Sequence, residues 1–154
     1  YNTQHDNTNM TNRIDTRDLY KRKCDLESLR DAVTEARDEL AEHIKEETPD
    51  TEWAERKDEL EDVLADAAAE FGTNEEAELE ELEELESEIS GFMHGETMIP
   101  ESEFKDYAYD FAHDICEISD GWPYDCIDWE HAAKELKHDY TVVTYQGDDY
   151  YVRS

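Results

Sequence analysis

The stretch that decides the fold is DLYKRKCDLESLRDAVTEARDELAEH, residues 18–43. Leu19, Leu26, Val33 and Leu40 recur every seven residues, with Leu29, Ala36 and His43 on the adjoining stripe. A seven-residue apolar repeat among charged residues keeps one seam of a helix turned towards a partner. The pattern predicts a long first helix, with Asp15 or Thr16 as its cap. Its end is set by Glu47-Thr48-Pro49-Asp50, because proline disfavours helix at the residue before it.

Past that break, Trp53, Leu60, Leu64, Ala67 and Phe71 share one face of a second helix, about Thr51 to Phe71. A connection this short favours an antiparallel hairpin. Gly72 is a natural stop, and Thr73 with Glu76 three residues on has the form of a capping box. A third helix is expected over roughly 75–89, with Leu79, Leu82, Leu85 and Ile89 as one narrow stripe. On this reading the hairpin and third helix occupy residues 14–90. Residues 1–13 (YNTQHDNTNMTNR) are polar and aperiodic and read as a mobile arm.

The composition then changes. Gly91–Gly95 reads as a linker, and residues 97–154 are richer in aromatics. Phe104, Tyr107, Ala108, Phe111, Ala112 and Ile115 mark a short amphipathic helix, followed by the turn-rich SDGWPYD (119–125). Ile127 to Leu136 reads as another helix capped by Asp128. Thr141–Tyr145 and Tyr150–Arg153 read as a β-hairpin. The predicted class is a mostly helical α+β protein: a helical hairpin and acidic helix, then a small ααββ unit.

Charge dominates the rest. The chain carries 45 acidic and 14 basic residues, a net -31, and nine glutamates lie between Glu75 and Glu88. Residues 1–23 are net +2, residues 24–90 net -22 and residues 91–154 net -11. A surplus this large costs stability by self-repulsion and disfavours contact with nucleic acid or anionic membranes. No apolar run approaches the roughly 18–20 residues that span a bilayer, and no signal peptide is visible. A cytoplasmic protein with no membrane partner and no direct nucleic-acid binding is expected. Trp53, Trp122, Trp129 and nine tyrosines argue for a packed core rather than an acidic disordered chain.

Enzymatic signals are scarce. There is no Gly-rich phosphate loop, G-x-S-x-G, H-E-x-x-H or C-x-x-C. His113 and Cys116 lie at i, i+3, but Cys116 follows Ile115 on an apolar stripe, where a buried inert thiol is expected. His131 and His138, seven residues apart, read as surface or capping histidines rather than metal ligands. Cys24, Cys116 and Cys126 read as reduced thiols. No catalysis, cofactor or metal is expected.

The glutamate run has three readings. A plain solvated face explains mixed charges better than like ones, since Glu–Glu pairs at i, i+3 and i, i+4 destabilise a helix. Adaptation to high salt, where repulsion is screened, is a second. Imitation of DNA is a third. Nine charges on fourteen residues give roughly one per 2.3 Å of helix, against roughly one per 1.7 Å for duplex DNA.

The C-terminal third tilts the choice. Phe104-Lys105-Asp106-Tyr107-Ala108-Tyr109-Asp110-Phe111-Ala112 is followed by Ile127-Asp128-Trp129-Glu130-His131-Ala132-Ala133-Lys134-Glu135-Leu136, then Asp139-Tyr140 and a final hairpin. This resembles the closing region of the ArdA-type antirestriction proteins, through the Ile-Asp-Trp-Glu and Asp-Tyr elements above all. That family's N-terminal β-containing domain, with its Y-V-A-C-L-x-x-Y-N-x-G opening, has no counterpart here. The resemblance implies a phage-type DNA mimic: an acidic dimer that occupies the DNA-binding cleft of a host restriction, nuclease or repair enzyme. The carboxylates expected to stand in for phosphates are Glu75, Glu76, Glu78, Glu80, Glu81, Glu83, Glu84, Glu86 and Glu88 from the run. Asp106, Asp110, Asp114, Asp128, Glu130 and Glu135 are carried over from the resemblance. Self-association as a homodimer is expected through Leu19, Leu26, Val33 and Leu40. The alternative is an acidic coiled-coil interaction module from a salt-adapted organism.

Overall fold

A computed structural model describes residues 12–46 and 50–154. It agrees with the mostly helical α+β class. In chain order the elements are β1 (Ile14–Asp15), α1 (Thr16–Ile44), α2 (Thr51–Glu70), α3 (Thr73–Glu88), β2 (Thr97–Pro100), α4 (Phe104–Ile115), α5 (Trp129–Leu136), β3 (Tyr140–Tyr145) and β4 (Asp148–Arg153). Two compact units result. One spans Lys21–Glu84, and the other joins Leu85–Ser154 to the segment ending at Tyr20. The predicted boundary near residue 90 therefore falls inside the second unit, and the predicted 14–90 block is divided.

Within Lys21–Glu84 the hairpin is fixed by side chains at both ends. Trp53 Nε1 donates to the carbonyl of His43 (3.0 Å), and His43 Nε2 donates to the carbonyl of Trp53 (2.8 Å). The two rings stack at 5.2 Å. One step inward, Arg56 reaches Glu39 (3.0 Å), and Arg22 grips Glu78 through two bonds of 2.8 and 2.9 Å. As the position on α1 falls from 43 to 39 to 22, its partner rises from 53 to 56 to 78. α2 thus runs antiparallel to α1, and α3 meets the N-terminal part of α1 at Glu78. Asp50 caps α2 through Trp53 N (2.9 Å). The box at α3 is one residue earlier than predicted: Glu75, not Glu76, reaches back, accepting from Gly72 N at 2.9 Å.

The second unit holds a four-stranded antiparallel sheet in the order β1-β2-β4-β3. The sequence reading found only the β3–β4 hairpin. Its turn is Gln146-Gly147, with φ of 52° and 82°, the positive values a two-residue hairpin turn demands. Ile99, Phe104, Ala108, Ala133 and Tyr140 form one core, with Tyr107, Leu136 and Tyr151 packed on it, so α4 and α5 share a core with the sheet. By alternation, Val143, Tyr145 and Val152 are buried on the opposite face.

The predicted linker is structured. Phe92, 2% exposed, lies in a 3-10 turn (Phe92–His94) and meets the Tyr20 ring edge-on. Gly95 has φ +101°, and a Cβ there would lie 2.7 Å from Arg17 Nε. Asp15 is the cap of α1, accepting from Arg17 N at 2.9 Å. Thr16 instead ties to Glu96 in both directions, at 2.9 and 2.7 Å.

Of the predicted arm, residues 1–11 lie outside the described residues, but Arg13 is docked. Its guanidinium is 5.3 Å from the Tyr107 ring centroid, 3.9 Å from Glu103 and 3.5 Å from Asp110.

Candidate functional site

The predicted carboxylates divide sharply by what they touch. On α3, an advance of about 100° per residue puts Leu79, Leu82, Leu85 and Ile89 inside, all at most 4% exposed. Glu76, Glu80, Glu83, Glu84 and Glu88 occupy the opposite arc and are exposed. Among the described residues Glu76, Glu80, Glu83 and Glu88 have no basic partner. Glu75 serves as the cap described above. Glu78 is neutralised by Arg22, whose guanidinium holds its carboxyl below the usual range. Glu81 and Glu86 are half-buried. The run is therefore one exposed ridge, not nine equivalent charges.

The carry-over set from the C-terminal region is mostly engaged. Asp128 caps α5, accepting from His131 N at 3.2 Å. Glu130 faces Lys105 at 3.6 Å. Glu135 lies 3.7 Å from His131 and 3.9 Å from His138. Asp110 is tied to Arg13. Asp106 and Asp114 remain exposed and have no basic partner among the described residues. Asp106, Asp110 and Asp114 do share a ridge of α4, at four-residue steps of about 6 Å.

A second acidic ridge lies on the charged outer face of α1. Asp31, Glu35, Asp38, Glu39 and Glu42 line an open groove of about 590 Å³ along α1. Asp31, Glu35 and Asp38 are exposed and without a basic partner among the described residues. Their i, i+4, i+7 spacing was the available signal; the heptad seam on the other side of the helix drew the reading instead. Between Lys57 and Lys105 the chain contains 18 acidic residues and no Lys or Arg.

The basic start of the chain is largely cancelled from within. Arg17 holds Asp15 (2.7 Å), Arg22 holds Glu78, and Lys23 lies 3.6 Å from Glu27. The Arg17 guanidinium lowers the Asp15 carboxyl below its ordinary value.

Two of the four residues of the expected dimer seam are covered inside the chain. Leu26 is fully buried and Val33 and Ala36 nearly so, while Leu19 and Leu40 are half-buried. The heptad pattern marks the packing face of an intrachain hairpin, which uses the same knobs that a coiled coil would.

The remaining chemical candidates resolve plainly. Cys116 is exposed, not buried, as is Ile115 beside it. His113 Nδ1 donates to the carbonyl of Tyr109 (2.7 Å) rather than meeting Cys116. All three cysteines are free. Among the described residues no cluster of His, Cys, Asp and Glu could hold a metal, and no helix is long and apolar enough to cross a membrane.

No family model, curated protein or solved structure matches the chain. The functional reading rests on the residues alone.

Proposed function

We propose that this protein is a DNA mimic: a decoy that occupies the DNA-binding cleft of a host restriction, nuclease or repair enzyme. The observation that carries the reading is the unpaired ridge of Glu76, Glu80, Glu83 and Glu88 on a helix otherwise held by leucine. A fold gains nothing from crowding like charges at i, i+4, and each such pair costs stability. A ridge of that kind needs a use outside the chain. With nine glutamates on its sixteen residues, α3 carries roughly one carboxylate per 2.7 Å. That falls between the density of one DNA strand, about one per 3.4 Å, and that of the duplex, about one per 1.7 Å.

The mechanism is electrostatic competition. Carboxylates meet the Lys and Arg side chains that otherwise hold phosphates, and the long-range field speeds encounter. Nothing in this mechanism requires catalysis or a cofactor. The ArdA-type resemblance of the last third supports the same reading and names restriction enzymes as the first class to test. The salt-adapted coiled-coil alternative draws less support, because Leu26 and Val33 are already covered without a second copy.

Capture from host lysate at low and high salt tests the reading. A defined nucleic-acid enzyme held at low salt and released at high salt is expected. Capture that survives 1 M salt, where the Debye length is about 3 Å, would contradict it.

A further inference from the structure

A cleft of about 170 Å³ lies where α4 meets the loop before α5. Its walls include Tyr109, His113, Tyr124 and Trp129, with Asp120 and Asp125 at its margin. The rings are mutually braced: Trp129 stands edge-on to Tyr109 at 4.8 Å, and His113 lies 4.1 Å from Tyr109. Because His113 Nδ1 donates to a carbonyl, the neutral ring keeps Nε2 as an acceptor.

No Lys or Arg among the described residues lines this aromatic site. Neither Asp120 nor Asp125 has a basic partner among the described residues. From Asp106 to Ala133 the chain holds eight acidic residues and no Lys or Arg, so no neighbour in sequence can fill the cleft. The same chemistry is satisfied internally elsewhere in the unit: Arg13 lies over Tyr107 with Glu103 and Asp110 beside it. At the second site the rings and carboxylates are present and the guanidinium is missing. Tyr109 and Tyr124 are 43% and 37% exposed, which leaves the rings open to an incoming group.

We propose that this cleft receives the guanidinium of an arginine side chain from a protein partner. A guanidinium is flat and weakly hydrated, stacks on aromatic faces and hydrogen-bonds carboxylates side-on. A lysine ammonium is strongly hydrated and loses more on entering. The proposal rests on the decoy reading for the identity of the partner, a DNA-binding protein rich in arginine. Its chemistry stands apart from that reading.

The test is a titration of the full chain, labelled with ¹⁵N, followed at the Trp129 indole N–H. The probes are Nα-acetyl-arginine amide, the uncharged citrulline analogue of the same shape, and Nα-acetyl-trimethyl-lysine amide. The arginine probe should give a saturable shift, with citrulline weaker by about tenfold. Asp120→Asn with Asp125→Asn, and separately Tyr124→Leu, should each weaken the arginine probe about fivefold or more while circular dichroism stays unchanged. Equal response to citrulline, tighter binding of trimethyl-lysine, or no saturable shift at Trp129 overturns the proposal. Failure of the decoy reading registers elsewhere, as captured enzyme that DNA does not displace, and leaves this titration untouched.

Discussion

Replacing Glu76, Glu80, Glu83 and Glu88 together by glutamine should make the protein more stable and its partner binding weaker. All four are exposed and lack a basic partner among the described residues. On α3 the change relieves like-charged neighbours at Glu76–Glu80, Glu80–Glu83, Glu80–Glu84, Glu83–Glu86 and Glu84–Glu88. Each such pair costs about 0.2–0.5 kcal/mol, so the five together cost about 1–2.5 kcal/mol. For a chain of this length one kcal/mol moves the midpoint by about 2–4 °C. A rise of about 2–10 °C is expected by circular dichroism at low salt, shrinking as added salt screens the native repulsion. Glutamine keeps the length of the side chain and its helix propensity, so shape is preserved. Binding should move the other way. Exposed ion pairs are worth about 0.2–1 kcal/mol each, so losing four should weaken capture of the enzyme roughly fivefold to several hundredfold. A lower midpoint would mean that these carboxylates hold the fold. Unchanged affinity would remove α3 from the binding surface.

Arg13→Met leaves Glu103, 8% exposed, with neither carboxylate oxygen hydrogen-bonded within the described residues. Urea unfolding should show a loss of about 2–4 kcal/mol, largely recovered by adding Glu103→Leu; a loss under about 0.5 kcal/mol would show that the pair is not a constraint. The Tyr140 phenol, buried and bonded to Tyr107 (2.8 Å), is held protonated well above its ordinary value by burial first and that bond second. Its contribution is complete below the unfolded value of about 10 and is lost as pH rises through the folded one. Melts should stay level from pH 8 to about 10 and fall above it, and Tyr140→Phe should flatten that fall without abolishing it, because burial also raises Tyr150. Leu26→Glu should unfold the hairpin rather than split a dimer, since Leu26 is fully buried in one chain. A folded monomer from that variant would restore the intermolecular seam.

What the sequence made legible follows from how locally each feature is determined. The seam Leu19–Leu40 and the stop at Gly72 need only helix periodicity and backbone sterics, and the helices follow them closely; the predicted break at Pro49 lies outside the described residues. The β1–β2 half of the sheet did not read out, because β1 has two residues and β2 four, too few for alternation to show. Both depend on pairing across the chain, Ile14 with Met98 and Ile99 with Tyr151. Heptad spacing states that a face is covered but not by what, and Leu26 and Val33 are covered within the chain. Charge has the same limit. The run EEAELEELEELESE names nine acids, yet only the fold separates Glu75, used as a cap, and Glu78, paired with Arg22, from the open ridge. The cleft beside Trp129 was invisible for a related reason. Tyr109, Tyr124 and Trp129 lie on three segments that only tertiary packing brings together.

The central claim is that carboxylates compete with phosphates for the same cations, and one titration tests it directly. A type I restriction enzyme, or the enzyme captured at low salt, is inhibited by the protein and then titrated with duplex DNA at several KCl concentrations. Competition predicts that the apparent inhibition constant rises in proportion to DNA. It should also rise with salt, since exposed pairs are screened over about 8–10 Å at physiological ionic strength. Inhibition that DNA does not relieve and salt does not weaken would show that the charge of -31 is incidental to what the protein does.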